Sequence, residues 1–141
     1  MLSNIAIGAI LILLTTAVHA GGMSLSLRSI SSRSTTAGSG LYLSRVLSVG
    51  RVVLIMYLIA IIEVLIWAAA YLAFDVIEGF EKAIYFSAVT FTTLGYGDVV
   101  LDGSRRLLSS LEAINGIIMF GWSTAIVIAA VQRVYFRQDA D

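Results

Sequence analysis

Three stretches of this chain are long and apolar enough to cross a lipid bilayer: residues 2–19, 52–74 and 107–131. A helix needs about 20 apolar residues to span a hydrocarbon layer roughly 30 Å thick. The first stretch carries no Asp, Glu, Lys or Arg; the others carry one acid each, Glu63 and Glu112. Charged residues make up 13% of the 141-residue chain and hydrophobic ones 59%. Soluble domains hold about a quarter charged residues, so the chain reads as an all-α integral membrane protein. Without cysteine, disulfides, metal thiolates and thiol nucleophiles are excluded; without proline, no helix can be hinged by one.

Between the second and third apolar runs, residues 79–92 are too short to cross. They carry Phe80, Ile84, Val89 and Phe91, with Asp75, Glu78 and Glu81 at or just before the start. Acids there suit the positive end of a helix dipole. This predicts a re-entrant helix, tolerated because surrounding protein satisfies its backbone. Its negative end would favour a cation inside the membrane. Directly after it comes Thr92-Thr93-Leu94-Gly95-Tyr96-Gly97-Asp98.

A cation leaving water needs oxygens in place of its hydration shell. Backbone carbonyls supply them without net charge if successive ones point the same way. A run of L-residues in one regular conformation does not achieve this, whereas alternation with positive-φ residues does. Gly95 and Gly97, on either side of Tyr96, take positive φ at little steric cost. The expected ligands are the carbonyls of Thr93, Leu94, Gly95 and Tyr96, with the Thr93 hydroxyl at the inner end. Tyr96 is expected to brace the loop against the short helix. Thr92 supports the loop, and Asp98 anchors its outer mouth or draws in cations. A plain polar turn is the competing reading, but the preceding helix and flanking spans weigh against it.

At these residues the sequence resembles the pore domain of potassium channels, in particular small prokaryotic ones with two pore-forming helices. The resemblance covers roughly residues 52–132. It implies an outer helix, a re-entrant pore helix with its selectivity filter, and an inner helix, repeated in a homotetramer around a four-fold axis. K⁺ is then the permeant ion, bound at Thr93, Leu94, Gly95 and Tyr96, and no cofactor is implied. Leu94 departs from the commonest filter, which has valine; the ligand is a carbonyl in either case. The resemblance makes Gly116 a candidate gating hinge of the inner helix, with helix packing as the alternative. Gly121 is read first as a packing residue and second as a hinge. Thr124 and Ile128 are expected to line the cavity or its constriction.

Outside that region, residues 1–20 are expected to form an additional N-terminal transmembrane helix. Val18-His19-Ala20 resembles a signal-peptidase site, but the segment lacks a basic start, so an uncleaved helix is expected. Residues 21–50 are rich in Ser and Gly, carry Arg28, Arg33 and Arg45, and contain no acid. They read as a flexible, basic linker, with residues 41–49 either an interfacial helix or a disordered loop. The pore domain is then 51–132, followed by a short tail, 133–141.

Arg28, Arg33, Arg45 and Arg51 precede the second run, and Arg133 and Arg137 follow the third. Positive flanks mark the cytoplasmic side. Both pore spans therefore begin and end in the cytoplasm, and the filter opens outward from a cell (inner) membrane. Arg105 and Arg106 run against the rule, with Asp102 offsetting one of them.

Glu63 and Glu112 are functional candidates because an ionisable group within a membrane is costly unless paired or hydrated. Glu112 is expected behind the filter, near Tyr85, Ser87 or Thr90, as a structural bond, a brace or a proton-holding switch. Asn115 or a first-span threonine is the expected partner of Glu63. His19 is read as an incidental polar end, or alternatively as a source of pH sensitivity.

No arginine series suggests a voltage sensor. The short tail is expected to carry no regulatory domain, so gating is expected from the inner helix, the filter, pH or a separate subunit. No His cluster, nucleophile–base set or phosphate loop suggests an enzyme, and no nucleic-acid partner is expected. The alternatives are a weakly selective cation channel, an accessory pore subunit, and, against the single filter copy, a K⁺-uptake transporter.

Overall fold

The computed structural model describes residues 2–31 and 41–136; Arg33 and Arg137 lie outside them. Those residues form four α-helices: α1 (Leu2–Ser31), α2 (Leu41–Ala73), α3 (Phe80–Phe91) and α4 (Arg106–Tyr135), with a 3₁₀ turn, Gly103–Arg105, leading into α4. There is no strand among them. α1, α2 and α4 are long and apolar enough to cross a membrane. At 1.5 Å per residue, α1 and α2 are about 45 and 50 Å long and overrun a hydrocarbon core of about 30 Å.

One expectation from composition fails at this point: α1 does not stop at residue 19 but continues to Ser31. Of the two readings of 41–49, the helix is the one observed, and it is the first part of α2, without a break. In α1 the reason is packing. A Cβ on Gly22 would overlap the Ile59 side chain, and one on Gly8 would overlap Leu111. Small residues let helix backbones approach closely in a membrane. Ser26 is buried one turn beyond Gly22 and donates to its carbonyl at 2.9 Å. Serine and glycine here serve a helix interface, not a linker.

α2 ends in a defined stop. Val76 N–H donates to the Tyr71 carbonyl at 2.8 Å and Asp75 N–H to the Leu72 carbonyl at 3.1 Å, with Asp75 at φ 51. This is a Schellman cap with aspartate in the left-handed position. α3 then begins after Gly79, whose carbonyl accepts from Ala83 N–H at 3.0 Å.

His19 meets Glu63 while Gly22 meets Ile59, so α1 and α2 run antiparallel. Gly8 meets Leu111, Thr15 meets Asn115 and His19 meets Ser123, so α1 and α4 run parallel. The short α3 is wedged between α2 and α4. Around it lies the larger core: Trp67, Tyr71, Phe86, Phe91, Leu108 and Met119. Tyr71 and Phe86 meet edge to face at 5.2 Å. A second cluster, Val52, Met56, Ile126 and Ala130, holds the other ends of α2 and α4 together. Arg45 sits over the Tyr135 ring at 5.8 Å at that same end.

Candidate functional site

The loop of residues 92–98 grows from the C-terminus of α3, where helical carbonyls lack partners in the helix. Here they are used. Thr93 N–H donates to the Thr90 carbonyl at 2.9 Å, and the Val89 carbonyl accepts from Leu94 at 3.0 Å and Gly95 at 3.3 Å. The Thr92 hydroxyl donates back to Ala88 at 2.7 Å. Positive φ occurs at Thr93 (60), Gly95 (58) and Gly97 (79), every second residue. This is the alternation that the carbonyl argument requires, with one difference: a β-branched threonine shares it with the glycines. Holding such a residue there costs of order 1–3 kcal/mol and needs support from its surroundings. No atom lies within 4 Å of a Cβ built on Gly95 or Gly97, so backbone conformation, not space, demands glycine at both.

At its far end the loop returns to α3, where the Tyr85 hydroxyl donates to Asp98 Oδ2 at 2.7 Å. The acceptor carboxylate holds the Tyr85 hydroxyl above its ordinary pKa. Asp98 is thus tied to the flank of α3. Tyr96 does not brace its own chain: it is 67% exposed, and Tyr85 supplies the tie to α3 instead. All seven residues, Thr92 through Asp98, are exposed in the single chain.

Behind the loop, Glu112 is fully buried between α2, α3 and α4. Tyr71 donates to its Oε2 and Ser87 reaches its Oε1, each at 2.5 Å. Ser87 Oγ also lies 2.8 Å from the Val64 carbonyl. Of the partners expected for Glu112, Ser87 is present. Tyr85 is engaged elsewhere, and Tyr71, one helix away, was not anticipated. The one-turn aromatic spacing of Trp67 and Tyr71 was the available signal.

Gly116 is buried against α3, and a Cβ there would overlap the Phe91 carbonyl oxygen. Gly121 has nothing within 4 Å of its Cβ position and is exposed. Within the chain, then, Gly116 packs, one of the two readings left open for it, whereas Gly121, read first as a packing residue, is unconstrained. Thr124 and Ile128 are exposed on the same side of α4 as Ile114, Ile117 and Gly121. The Thr124 hydroxyl donates to Phe120 at 2.9 Å.

Glu63, Asn115 and His19 also find partners, though not the expected ones. Glu63 pairs with His19 (Oε1 to Nδ1, 3.0 Å), both fully buried. Asn115 donates to Thr15 at 2.9 Å. His19 is therefore no incidental helix end. Its ring also stacks on Trp122 at 5.1 Å, and its Nε2 lies 3.4 Å from Ser123 Oγ.

Residues 59–133, more than half of the chain, match a family described as Ion channel. The match takes in the second half of α2, α3, the 92–98 loop and nearly all of α4; α1 lies outside it. No curated protein and no solved structure matches the chain.

Proposed function

The chain belongs to the ion-channel family, and we propose that four copies form a pore selective for K⁺, with residues 93–97 of each copy as the filter. Passive ion conduction is the activity of the family. Selectivity is read from the loop, and one observation carries it: positive φ at Thr93, Gly95 and Gly97 in a segment tied at both ends to α3. Carbonyls of Thr93, Leu94, Gly95 and Tyr96 from four chains would replace the hydration shell of a permeating ion. K⁺ is the cargo, not a resident cofactor.

Two features of the single chain support assembly. The loop is exposed throughout, including the large Tyr96 ring. One stripe of α4, Ile114, Ile117, Gly121, Thr124 and Ile128, is uncovered as well. Three further copies around an axis would cover the ring and turn the stripe inward as cavity lining. The helix directions, with α1 and α4 parallel and α2 opposed, fit a loop opening outward from a cell membrane with Arg28, Arg45, Arg51 and Arg133 on the cytoplasmic side.

The test is flux into liposomes holding the purified protein. Uptake of K⁺ or Rb⁺ blocked by Ba²⁺, with far slower Na⁺ uptake, is expected; equal Na⁺ and K⁺ fluxes would identify a weakly selective channel instead. Gly95→Asp forces a side chain into φ 58 and places a charge in the filter. It should abolish flux while the assembly persists on size-exclusion chromatography.

A further inference from the structure

α1 lies outside the family match, yet it packs on both α2 and α4, the helix that a channel must move to open. Thr15 engages α4 before Gly121, at Asn115. His19, one turn on, engages α4 immediately after Gly121, through the Trp122 ring and Ser123. His19 is itself fixed to α2 by Glu63 at 3.0 Å. The outer part of α4 is fixed independently, because Gly116 is pressed against the Phe91 carbonyl. Gly121 lies between these two attachments with free space around it. Any bend there swings Trp122 and Ser123 relative to His19.

We propose that His19 and Glu63 are positioning residues that hold the inner helix unbent beyond Gly121, so that α1 restrains the opening of the pore. This rests on the channel reading of the site. The chemistry of the junction shows how it restrains. With the Nδ1 proton donated to Glu63, Nε2 is left as an acceptor for the Ser123 hydroxyl, so one ring bridges α2 and α4. Glu63 Oε2 has no hydrogen-bond partner among the described residues, so the carboxylate depends on His19. Trp122 and Ser123 bring no charge from α4, and Glu112 is already engaged by Tyr71 and Ser87. Among the described residues, the pair's α4 contacts, Trp122 and Ser123, are therefore uncharged. α4 is helical without interruption from Arg106 to Tyr135, the form that such a restraint would hold.

Single-channel recording of the full chain in planar bilayers tests this. His19→Leu with Glu63→Leu removes both polar groups and leaves neither one buried alone. Open probability should rise by roughly three- to twentyfold, the span measured for interhelical polar contacts in membranes. Unitary conductance and the K⁺/Na⁺ permeability ratio should not change, a split that general damage to the pore would not produce. The exchanged pair, His19→Glu with Glu63→His, should return open probability towards the wild-type value. If the leucine double variant does not assemble, Ser123→Ala decides, because it leaves the buried pair intact and loosens only the α4 contact. An unchanged or lowered open probability in the variant that assembles overturns the proposal. Absence of any unitary current from the wild-type protein would instead remove the channel reading beneath it.

Discussion

Tyr85, in the middle of α3, donates a hydrogen bond to Asp98, the residue that closes the candidate filter loop, at 2.7 Å. The loop leaves the C-terminus of α3 and is tied back to the same helix's flank. Its two ends are thus referred to one rigid element, which is what a site needing sub-ångström placement of carbonyls demands. Tyr85→Phe removes the tie without changing the ring. K⁺ current should persist but decline faster during sustained opening, as recorded in macroscopic currents. The fold favours the neutral, donating phenol, because the folded pKa is raised. The bond is therefore fully present below tyrosine's ordinary value of about 10 and is lost only as pH rises through the higher folded value. The difference between wild type and Tyr85→Phe should accordingly stay constant across neutral pH.

Gly116 and Gly121 separate two roles that look alike on paper. Gly116→Ala drives a methyl into the Phe91 carbonyl and should cost about 1–3 kcal/mol, as overpacking does. Gly121→Ala meets open space in the chain and should change stability by about 0.5 kcal/mol or less, while stiffening α4. Thermal unfolding of the detergent-solubilised protein compares the two directly. Equal destabilisation would count against the packing assignment.

For Glu112 the informative pair is Gln and Ala. A glutamine can accept from Tyr71 and donate to Ser87, so Glu112→Gln should assemble and conduct. Glu112→Ala leaves the buried Tyr71 hydroxyl without its partner, leaves Ser87 only the Val64 carbonyl, and opens a void between three helices. A loss of roughly 2–4 kcal/mol is expected, read as a lower melting temperature and less assembled protein. If the glutamine variant fails as badly as the alanine one, the carboxyl does more than brace α3.

The loop, the short helix before it and the three spans were all legible in the sequence, because each is fixed by local rules. A dipole-complementing acid such as Glu81, a glycine at a positive-φ position such as Gly95 and a sustained apolar run such as residues 52–74 identify themselves. The polar pairing across helices was not legible. Glu63 had candidate partners at several places, and only the tertiary arrangement selects His19. The extent of α1 was misread for a related reason: Ser and Gly have the composition of a linker and also of a close helix contact. One signal was available. Asn4, Gly8, Leu11, Thr15, His19, Gly22 and Ser26, all buried, recur every three or four residues, a small and polar stripe along an otherwise apolar helix. In a bilayer that stripe, not the apolar surface, marks the side facing protein.

The pairing of His19 with Glu63 also bears on how the protein is made. An acid in the middle of an apolar helix costs a few kcal/mol when it is handed to lipid alone. His19 precedes Glu63 by 44 residues. By the time α2 leaves the ribosome, the ring that hydrogen-bonds its one liability is already in place upstream. Entry of α1 and α2 together as a hairpin spares Glu63 a solitary passage into the bilayer. Asn115 follows Thr15 by 100 residues and finds its acceptor waiting in the same way.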